Sequence, residues 1–278
     1  MVIDFHTHVF PEKIAVATIK ELEKASGLTA ATNGCLDGLL SSMEQSGVDT
    51  SVIMPVVTSP KQFGGINRFA YSINEKYGFL DRLENGNTTM PRLISFGGIH
   101  PDSEDYKGQL KELKSMGFPG IKLHPDYQRV CFDDIRYERI VSYASELDMI
   151  VLVHAGIDIG LPEPVHCSPA MSLKVIKDTQ APKLVLAHLG GWKQWEEVEV
   201  LLVGENVYLD IAFVHQYITD EQVYRIVEGH GSDRILFATD SPWSGQRETV
   251  TWLKDSRLSN SEKEKILGLN AMSILGID

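Results

Sequence analysis

Short apolar segments recur along the whole chain and alternate with amphipathic segments of helical period. Eight of them are short enough for strands and rich in β-branched residues: Val2–Phe5, Thr50–Met54, Leu93–Phe96, Gly120–Leu123, Ile150–Val153, Leu184–Leu186, Val207–Leu209 and Ile235–Ala238. The segments between them carry apolar residues three or four positions apart, which indicates helices with one buried face. The strands lack strict alternation, as is typical of parallel strands covered on both faces. This pattern predicts a (β/α)8 TIM barrel of the α/β class.

The length and the connecting segments favour one domain. The chain has 278 residues, and α/β barrels commonly have about 250. No linker rich in Pro, Gly or Ser divides it, so we predict a single barrel domain over residues 1–278. A doubly wound open sheet is the alternative architecture. The polar segment Glu84-Asn85-Gly86-Asn87 predicts a surface turn before the third strand.

Charge and cysteine content restrict the partners and the compartment. The net charge is −12, from 26 basic and 38 acidic residues, which argues against nucleic acid and anionic membranes as partners. Three cysteines without a spacing pattern favour a reducing compartment. No apolar run approaches the roughly 18 residues of a membrane span, and a strand beginning at Val2 leaves no room for a signal peptide. We therefore expect a cytoplasmic protein with a small-molecule substrate. Such barrels are compatible with a homodimer, although no segment identifies an interface.

Polar side chains follow the predicted strands at the point where each strand ends. Most of the nine histidines lie there, together with one lysine and one aspartate: His6, His8, His100, Lys122, His124, His154, His188 and Asp240. The carboxyl ends of the strands of a barrel converge on one rim, where active sites of this fold lie. His6 and His8 are two positions apart and therefore point to the same face of their strand. The sequence predicts a site built from these side chains.

The residue types at this rim indicate a metal site. Neutral imidazoles and a carboxylate suit zinc, and also Mn²⁺, Fe²⁺ or Ni²⁺. No cysteine lies at the rim, which disfavours a closed structural zinc site. A catalytic ion keeps one position open for water and lowers the pKa of that water from about 15.7 to about 7. We predict one divalent transition metal ion, with zinc as the preferred ion.

Several motifs at the strand ends resemble the amidohydrolase superfamily. They are "VIDFHTHVFP", "GIKLHP", "LVHAG", "LAHLGG", "FATDSPW" and the terminal "ILGLNAMSILGI". They are similar to its second large family, which includes metal-dependent hydrolases and non-oxidative decarboxylases such as aminocarboxymuconate-semialdehyde decarboxylase. The resemblance runs from residue 2 to about residue 277. It implies a (β/α)8 barrel and one metal ion with four ligands: His6, His8, His154 and Asp240. It also implies that His188 hydrogen-bonds the metal-bound water.

The remaining rim residues have less specific expectations. In binuclear members of the superfamily, a lysine on the fourth strand can be carboxylated and bridge two metals. The relatives with the most similar motifs use one metal, so we interpret Lys122 as a cation that meets a substrate carboxylate or an acidic partner. His100 and His124, each followed by proline, are either substrate contacts or loop anchors. Trp243 follows Asp240 closely enough to form a wall of the pocket.

These residues support an enzyme, and we predict a hydrolase of an amide, ester or lactone bond. Asp240, with His188, would take the proton of the metal-activated water and pass it to the leaving group. The alternative is a non-oxidative decarboxylase of an aromatic or unsaturated carboxylic acid. A metal-binding barrel without catalysis is a third possibility. Since both reactions use the same ligand set, product analysis is what distinguishes them.

Overall fold

The computed structural model describes residues 1–77, 79–80, 92–161 and 163–277. Its strands are β1 (Ile3–Thr7), β2 (Thr50–Ile53), β3 (Leu93–Ser95), β4 (Gly97–Gly98), β5 (Gly120–Leu123), β6 (Ile150–Val153), β7 (Leu184–Leu186), β8 (Tyr208–Asp210) and β9 (Ile235–Leu236). Its α-helices are α1 (Glu12–Ser26), α2 (Leu36–Ser46), α3 (Phe63–Lys76), α4 (Tyr106–Ser115), α5 (Pro125–Gln128), α6 (Ile135–Glu146), α7 (Pro169–Thr179), α8 (Trp195–Leu201), α9 (Asp220–His230), α10 (Gln246–Asp255), α11 (Asn260–Glu264) and α12 (Asn270–Leu275). The predicted turn at Glu84-Asn85-Gly86-Asn87 lies outside the described residues.

The strands form a closed parallel barrel. The pairing order is β1-β2-β3 in one sheet and β4 through β9 in the other. Only Phe96 separates β3 from β4, and its amide donates to the carbonyl of Ile53 at 2.9 Å, so β3 and β4 are two parts of one barrel strand. The last strand meets the first, since the amide of Phe5 donates to the carbonyl of Phe237 at 2.9 Å. The predicted (β/α)8 barrel is confirmed, with a strand in each of the eight predicted segments.

Two layers of apolar side chains explain why these segments form strands. One cluster contains side chains from alternate strand positions, such as Val52, Leu152 and Leu236, that meet inside the barrel. The larger cluster lies between strands and helices and includes Leu113 of α4 and Ile140 of α6. Strands buried on both faces need apolar residues at consecutive positions. This requirement accounts for the unbroken apolar runs of the sequence.

The connection between β1 and β2 contains two helices, α1 and α2. Helix α1 begins after Pro11 and is followed by Gly27. Gly27 has a φ of 73°, a left-handed conformation that glycine adopts without steric cost at a helix end. Only two residues of α1 are buried, Ala15 and Ile19, so the helix covers the rim more than it enters the core. Among the described residues, no helix has the length and apolar character needed to span a membrane.

Candidate active site

The predicted rim residues surround a cavity of about 580 Å³ at the carboxyl ends of the strands. Its polar lining includes seven of the residues that we named from the sequence: His6, His8, Lys122, His124, His154, His188 and Asp240. Its walls are mainly apolar: Val9, Phe10, Ile14, Leu22, Leu28, Ile66, Phe69, Ile157, Ile159, Trp192, Phe213 and Trp243. A concave, mostly apolar site with a few convergent polar groups is typical of small-molecule binding.

Three of the predicted metal ligands converge at the floor of this cavity. Nε2 of His6 and Nε2 of His8 are 3.1 Å apart. Oδ1 of Asp240 lies 3.1 Å from the His8 nitrogen and 3.5 Å from that of His6. A register shift between Asp4 and Thr7 of β1 accompanies this arrangement of the first two side chains. We call His6, His8 and Asp240 the floor triad.

The Nδ1 atoms of His6 and His8, which point away from the centre of the triad, each have a hydrogen-bond partner. Nδ1 of His8 lies 2.7 Å from the carbonyl oxygen of Met54, which can only accept, so Nδ1 carries the proton and Nε2 offers a lone pair. Nδ1 of His6 lies 2.9 Å from Oδ2 of the buried Asp210. Burial, followed by the charge of Lys122, lowers the pKa of His6 well below its ordinary value. A neutral imidazole whose far nitrogen binds a carboxylate or carbonyl is the usual form of a histidine ligand.

The donor set of the floor triad fits a divalent transition metal ion. Two imidazole lone pairs and one carboxylate oxygen face a common point, with all three atoms within 4.8 Å of one another. Electron-rich atoms at this spacing repel unless a cation lies between them, and two nitrogens with one oxygen suit zinc or manganese. The triad is therefore a candidate metal centre.

Lys122 lies beside the floor triad. Its Nζ is 3.0 Å from Nε2 of His6, and the side chain is 1% exposed. Burial lowers the pKa of Lys122 to about 8, although Asp210 and Asp240 favour its charged form. The lysine lines the cavity, and its predicted role as a cation for a substrate carboxylate stays a prediction.

The structure does not place His154 in the floor triad. Nδ1 of His154 lies 3.1 Å from Nε2 of His188, and His188 lies between His154 and the triad. His188 is fixed in turn, because its Nδ1 lies 2.8 Å from the carbonyl oxygen of Ala212 and its backbone amide donates to Asp210 at 2.8 Å. The role of His154 as a fourth ligand and that of His188 as an acid–base residue stay predictions.

A second group with possible ligand atoms contains His124, His154 and Asp158. The rings of His124 and His154 stack with their centroids 4.1 Å apart and their planes 7° from parallel. An imidazole binds a metal in the plane of its ring, so two stacked rings cannot both direct a lone pair at one ion. This group therefore fits a metal ion less well than the floor triad does.

The two remaining candidates occupy different positions. Trp243 lines the cavity, and its contact with a substrate stays a prediction. His100 is buried but does not contribute to the cavity lining, and its Nδ1 accepts a hydrogen bond from the amide of Asp102 at 3.1 Å. This hydrogen bond is compatible with the loop-anchor role of His100, and the choice between the two roles stays a prediction.

Sequence reasoning missed three buried aspartates around the site. Asp210 is the last residue of β8 and could have been found by the strand-end pattern that identified the histidines. Asp126, directly after the His124-Pro125 pair, and Asp158, four residues after His154, lie in segments where aspartate also commonly forms turns. In these two cases the sequence contains no signal that separates a site residue from a turn residue.

The fold is shared with solved structures over nearly the whole chain. 5-Carboxyvanillate decarboxylase from Sphingomonas paucimobilis is 14% identical, with a TM-score of 0.66 over 100% of this chain and 99% of that one. 2,6-Dihydroxybenzoate decarboxylase from Rhizobium is 16% identical, with a TM-score of 0.67 over 100% and 99%. A dihydroxybenzoic acid decarboxylase from Polaromonas sp. JS666 with bound manganese and 2-nitroresorcinol is 16% identical, with a TM-score of 0.69 over 99% and 96%. No curated protein sequence matches the chain.

These comparisons correct one prediction and confirm another. The hydrolase prediction is wrong, because several of the solved structures that the chain resembles, including the three named above, are decarboxylases and favour the alternative reaction. The predicted family is confirmed, because the sequence model described as amidohydrolase matches residues 3–277. The chain belongs to the amidohydrolase family.

Proposed function

We propose that this protein is a metal-dependent, non-oxidative decarboxylase of a small carboxylic acid with an aromatic or unsaturated body. The observation that carries the proposal is the floor triad, His6, His8 and Asp240, at the base of a cavity with mainly apolar walls. Full-length similarity to decarboxylases supports the reaction class, and the manganese in one of them supports a divalent ion.

The cavity lining favours a substrate with one acidic end and an apolar body. Among the described residues that line the cavity, Lys122 is the only lysine or arginine. It lies at the floor, 3.0 Å from His6. The upper walls carry aromatic and aliphatic side chains, including Phe69, Phe213 and Trp243. A carboxylate is therefore expected at the floor, with the carbon skeleton against the apolar walls.

The reaction breaks the bond between the carbon skeleton and the carboxyl group, releases CO₂ and places one proton on the carbon. A divalent ion held by the floor triad would supply positive charge for the oxygen atoms of the substrate. Zinc is the ion that we propose, with manganese as the alternative to be compared. Lys122 adds a second positive charge at the floor, and Asp210 fixes the ring of His6.

We assign the handling of the proton to Asp240 and His188. Asp240 lies in the floor triad, next to the expected position of the carboxylate. His188 is held by Ala212 through Nδ1 and meets another imidazole, that of His154, through Nε2. The cavity walls are mainly apolar, so the side chains that can carry a proton near the expected carboxylate are those of the floor.

The experiment measures CO₂ release by protein reconstituted with Zn²⁺ or Mn²⁺. The panel contains hydroxybenzoates and unsaturated acids, with lactones and N-acyl compounds for comparison. We expect CO₂ and the decarboxylated product in equal amounts, and one deuterium on the product carbon when the reaction runs in D₂O. The variant with His6→Ala and His8→Ala is the inactive control. Turnover of a lactone or N-acyl compound without any CO₂ release from the acids would contradict the proposal.

A further inference from the structure

Five imidazole rings cross the floor of the cavity in one row. Their order is His8, His6, His188, His154 and His124, and each ring centroid lies between 4.1 and 5.5 Å from the next. The floor triad occupies one end of the row. At the other end, a second polar cluster contains the following residues: His124, His154, Asp126 and Asp158. The proposed reaction at the floor triad assigns no role to His124, Asp126 and Asp158 of this second polar cluster.

Polar atoms of the second polar cluster lie too far apart to bond to one another. Nε2 of His154 is 3.9 Å from Oδ2 of Asp126 and 3.9 Å from Oδ2 of Asp158. The His154 nitrogen and the Asp126 oxygen are both buried and have no hydrogen-bond partner in the part of the chain that the structure describes, and both residues are less than 10% exposed. Buried polar groups in proteins are almost always paired. Two atoms at this spacing can both bond a third polar atom that lies about 2.8 Å from each.

The position of the ring proton of His124 determines which group fits between His124 and Asp158 in the same cluster. The amide of Tyr127 points at Nδ1 of His124, at 3.5 Å, so Nδ1 carries no proton and Nε2 is a donor. This Nε2 lies 3.5 Å from Oδ2 of Asp158, but the two atoms are not aligned in a hydrogen bond with each other. Oδ1 of Asp158 is used by the amide of Gly160 at 2.8 Å, whereas Oδ2 remains available to the cavity.

A hydroxyl group can bond to both Nε2 of His124 and Oδ2 of Asp158, because it accepts from the imidazole N–H and donates to the carboxylate. A carboxylate would face the negative charges of Asp126 and Asp158. An ammonium group would leave the Nε2–H of His124 without an acceptor. The geometry therefore distinguishes a hydroxyl from the two charged groups of similar size.

We infer that Asp158 and His124 bind a hydroxyl substituent of the substrate, at the end of the ring row opposite the floor triad. The inference rests on the proposed function, since it makes the substrate a hydroxylated carboxylic acid that spans the row. Asp158 is thus a specificity residue, which binds the substrate without taking part in bond breaking. A buried site built to bond a hydroxyl discriminates against the analogue that lacks it, because its own polar groups then stay unpaired.

The test measures the dissociation constants of benzoate and its three monohydroxy isomers by calorimetry, with metal-loaded protein. We expect at least one isomer to bind about 10-fold or more tightly than benzoate. In Asp158→Asn and Asp158→Ala this preference should fall below about 2-fold, while the benzoate constant changes by less than about 3-fold. Ile159→Ala is the matched control: it shortens the adjacent wall residue and should weaken all four ligands equally. A crystal structure with the preferred isomer should place its hydroxyl oxygen between Oδ2 of Asp158 and Nε2 of His124.

Three outcomes overturn the inference. The first is that no isomer binds, and the second is that the wild type shows no preference for a hydroxyl. The third is a preference that survives in Asp158→Ala, which would mean that the hydroxyl binds elsewhere. After the second or third outcome, water is the group that fills the second polar cluster. Failure of the proposed function looks different. A hydroxyl preference that depends on Asp158, without CO₂ release from any acid, would refute the decarboxylase and leave the hydroxyl subsite standing.

Discussion

Nδ1 of His6, on β1, lies 2.9 Å from Oδ2 of Asp210, the last residue of β8. The second oxygen of Asp210 accepts hydrogen bonds from the backbone amides of His188 and Ala212, at 2.8 and 3.0 Å. One buried carboxylate therefore orients a ring of the floor triad and the backbone that carries His188. Because it accepts from Nδ1, Nε2 of His6 carries no proton and can offer its lone pair to a metal ion.

Asp210→Asn should weaken metal binding by about 10- to 100-fold. An asparagine in the same position can donate its amide proton to Nδ1 of His6, which would shift the ring proton to Nε2, where the ion has to bind. The measurement is metal affinity by competition with a chromogenic chelator. Asp233→Asn, on the exposed surface, should leave the affinity unchanged. Equal affinity in Asp210→Asn and wild type would show that this carboxylate does not set the tautomer of His6.

The floor triad should account for the bound metal. Purified wild-type protein, after zinc reconstitution, should contain about one ion per chain. His6→Ala combined with His8→Ala removes two of the three convergent ligand atoms and should abolish binding. His100→Ala serves as the matched control, because His100 is a buried rim histidine that does not contribute to the cavity lining. Elemental analysis decides the matter, and a metal-free wild-type protein would contradict the candidate centre.

His188 and Asp240 should differ in what their removal changes. His188→Asn should retain about one metal ion per chain but lose on the order of 10²- to 10⁴-fold in kcat/KM, the usual contribution of an oriented acid–base group. Asp240→Asn removes the anionic ligand and should lower both metal content and rate. Metal content and kcat/KM have to be measured on the same preparations. If His188→Asn empties the site as fully as His6→Ala with His8→Ala, His188 is a ligand and not an acid–base residue.

The barrel could be predicted from the sequence because parallel strands buried on both faces need unbroken apolar runs, and each of the eight runs forms a strand. The proximity of His6, His8 and Asp240 could also be predicted, because the carboxyl ends of barrel strands converge independently of the loop conformations. The sequence could not show that His188 separates His154 from the triad, since that depends on side-chain orientation. Asp158 was missed because the loop after β6, and not a strand, brings it to the cavity.

Lys122 should remain an unmodified amine. Its Nζ lies 3.0 Å from Nε2 of His6, and we interpret it as a cation for the substrate carboxylate. Added bicarbonate should therefore leave the activity unchanged, and the intact mass of the metal-loaded protein should lack one added CO₂. Lys122→Met should raise KM for acidic substrates and keep about one metal ion per chain. A bicarbonate requirement together with two metal ions per chain would establish a carboxylated, bridging lysine instead.

Asp4 should stabilise the closure of the barrel and the position of Asp240. Its buried carboxylate accepts from the amide of Thr239 at 2.9 Å, from the Thr239 hydroxyl at 2.6 Å and from Nε2 of Gln246 at 2.7 Å. The two bonds from Thr239 join β1 to the residue directly before Asp240, and the bond from Gln246 joins β1 to the start of α10.

Asp4→Ala leaves these buried donors without an acceptor, and each such group costs about 1–3 kcal/mol. We expect the free energy of unfolding in denaturant to fall by about 2–4 kcal/mol and metal affinity to fall with it, because the backbone of Asp240 loses its anchor. Asp49→Ala is a suitable control. Its carboxylate accepts from the backbone amide of Val2 at 2.7 Å, also at β1 but on the exposed side, and should cost less than about 1 kcal/mol. Equal losses in the two variants would show that the Asp4 bonds add nothing beyond an ordinary surface contact.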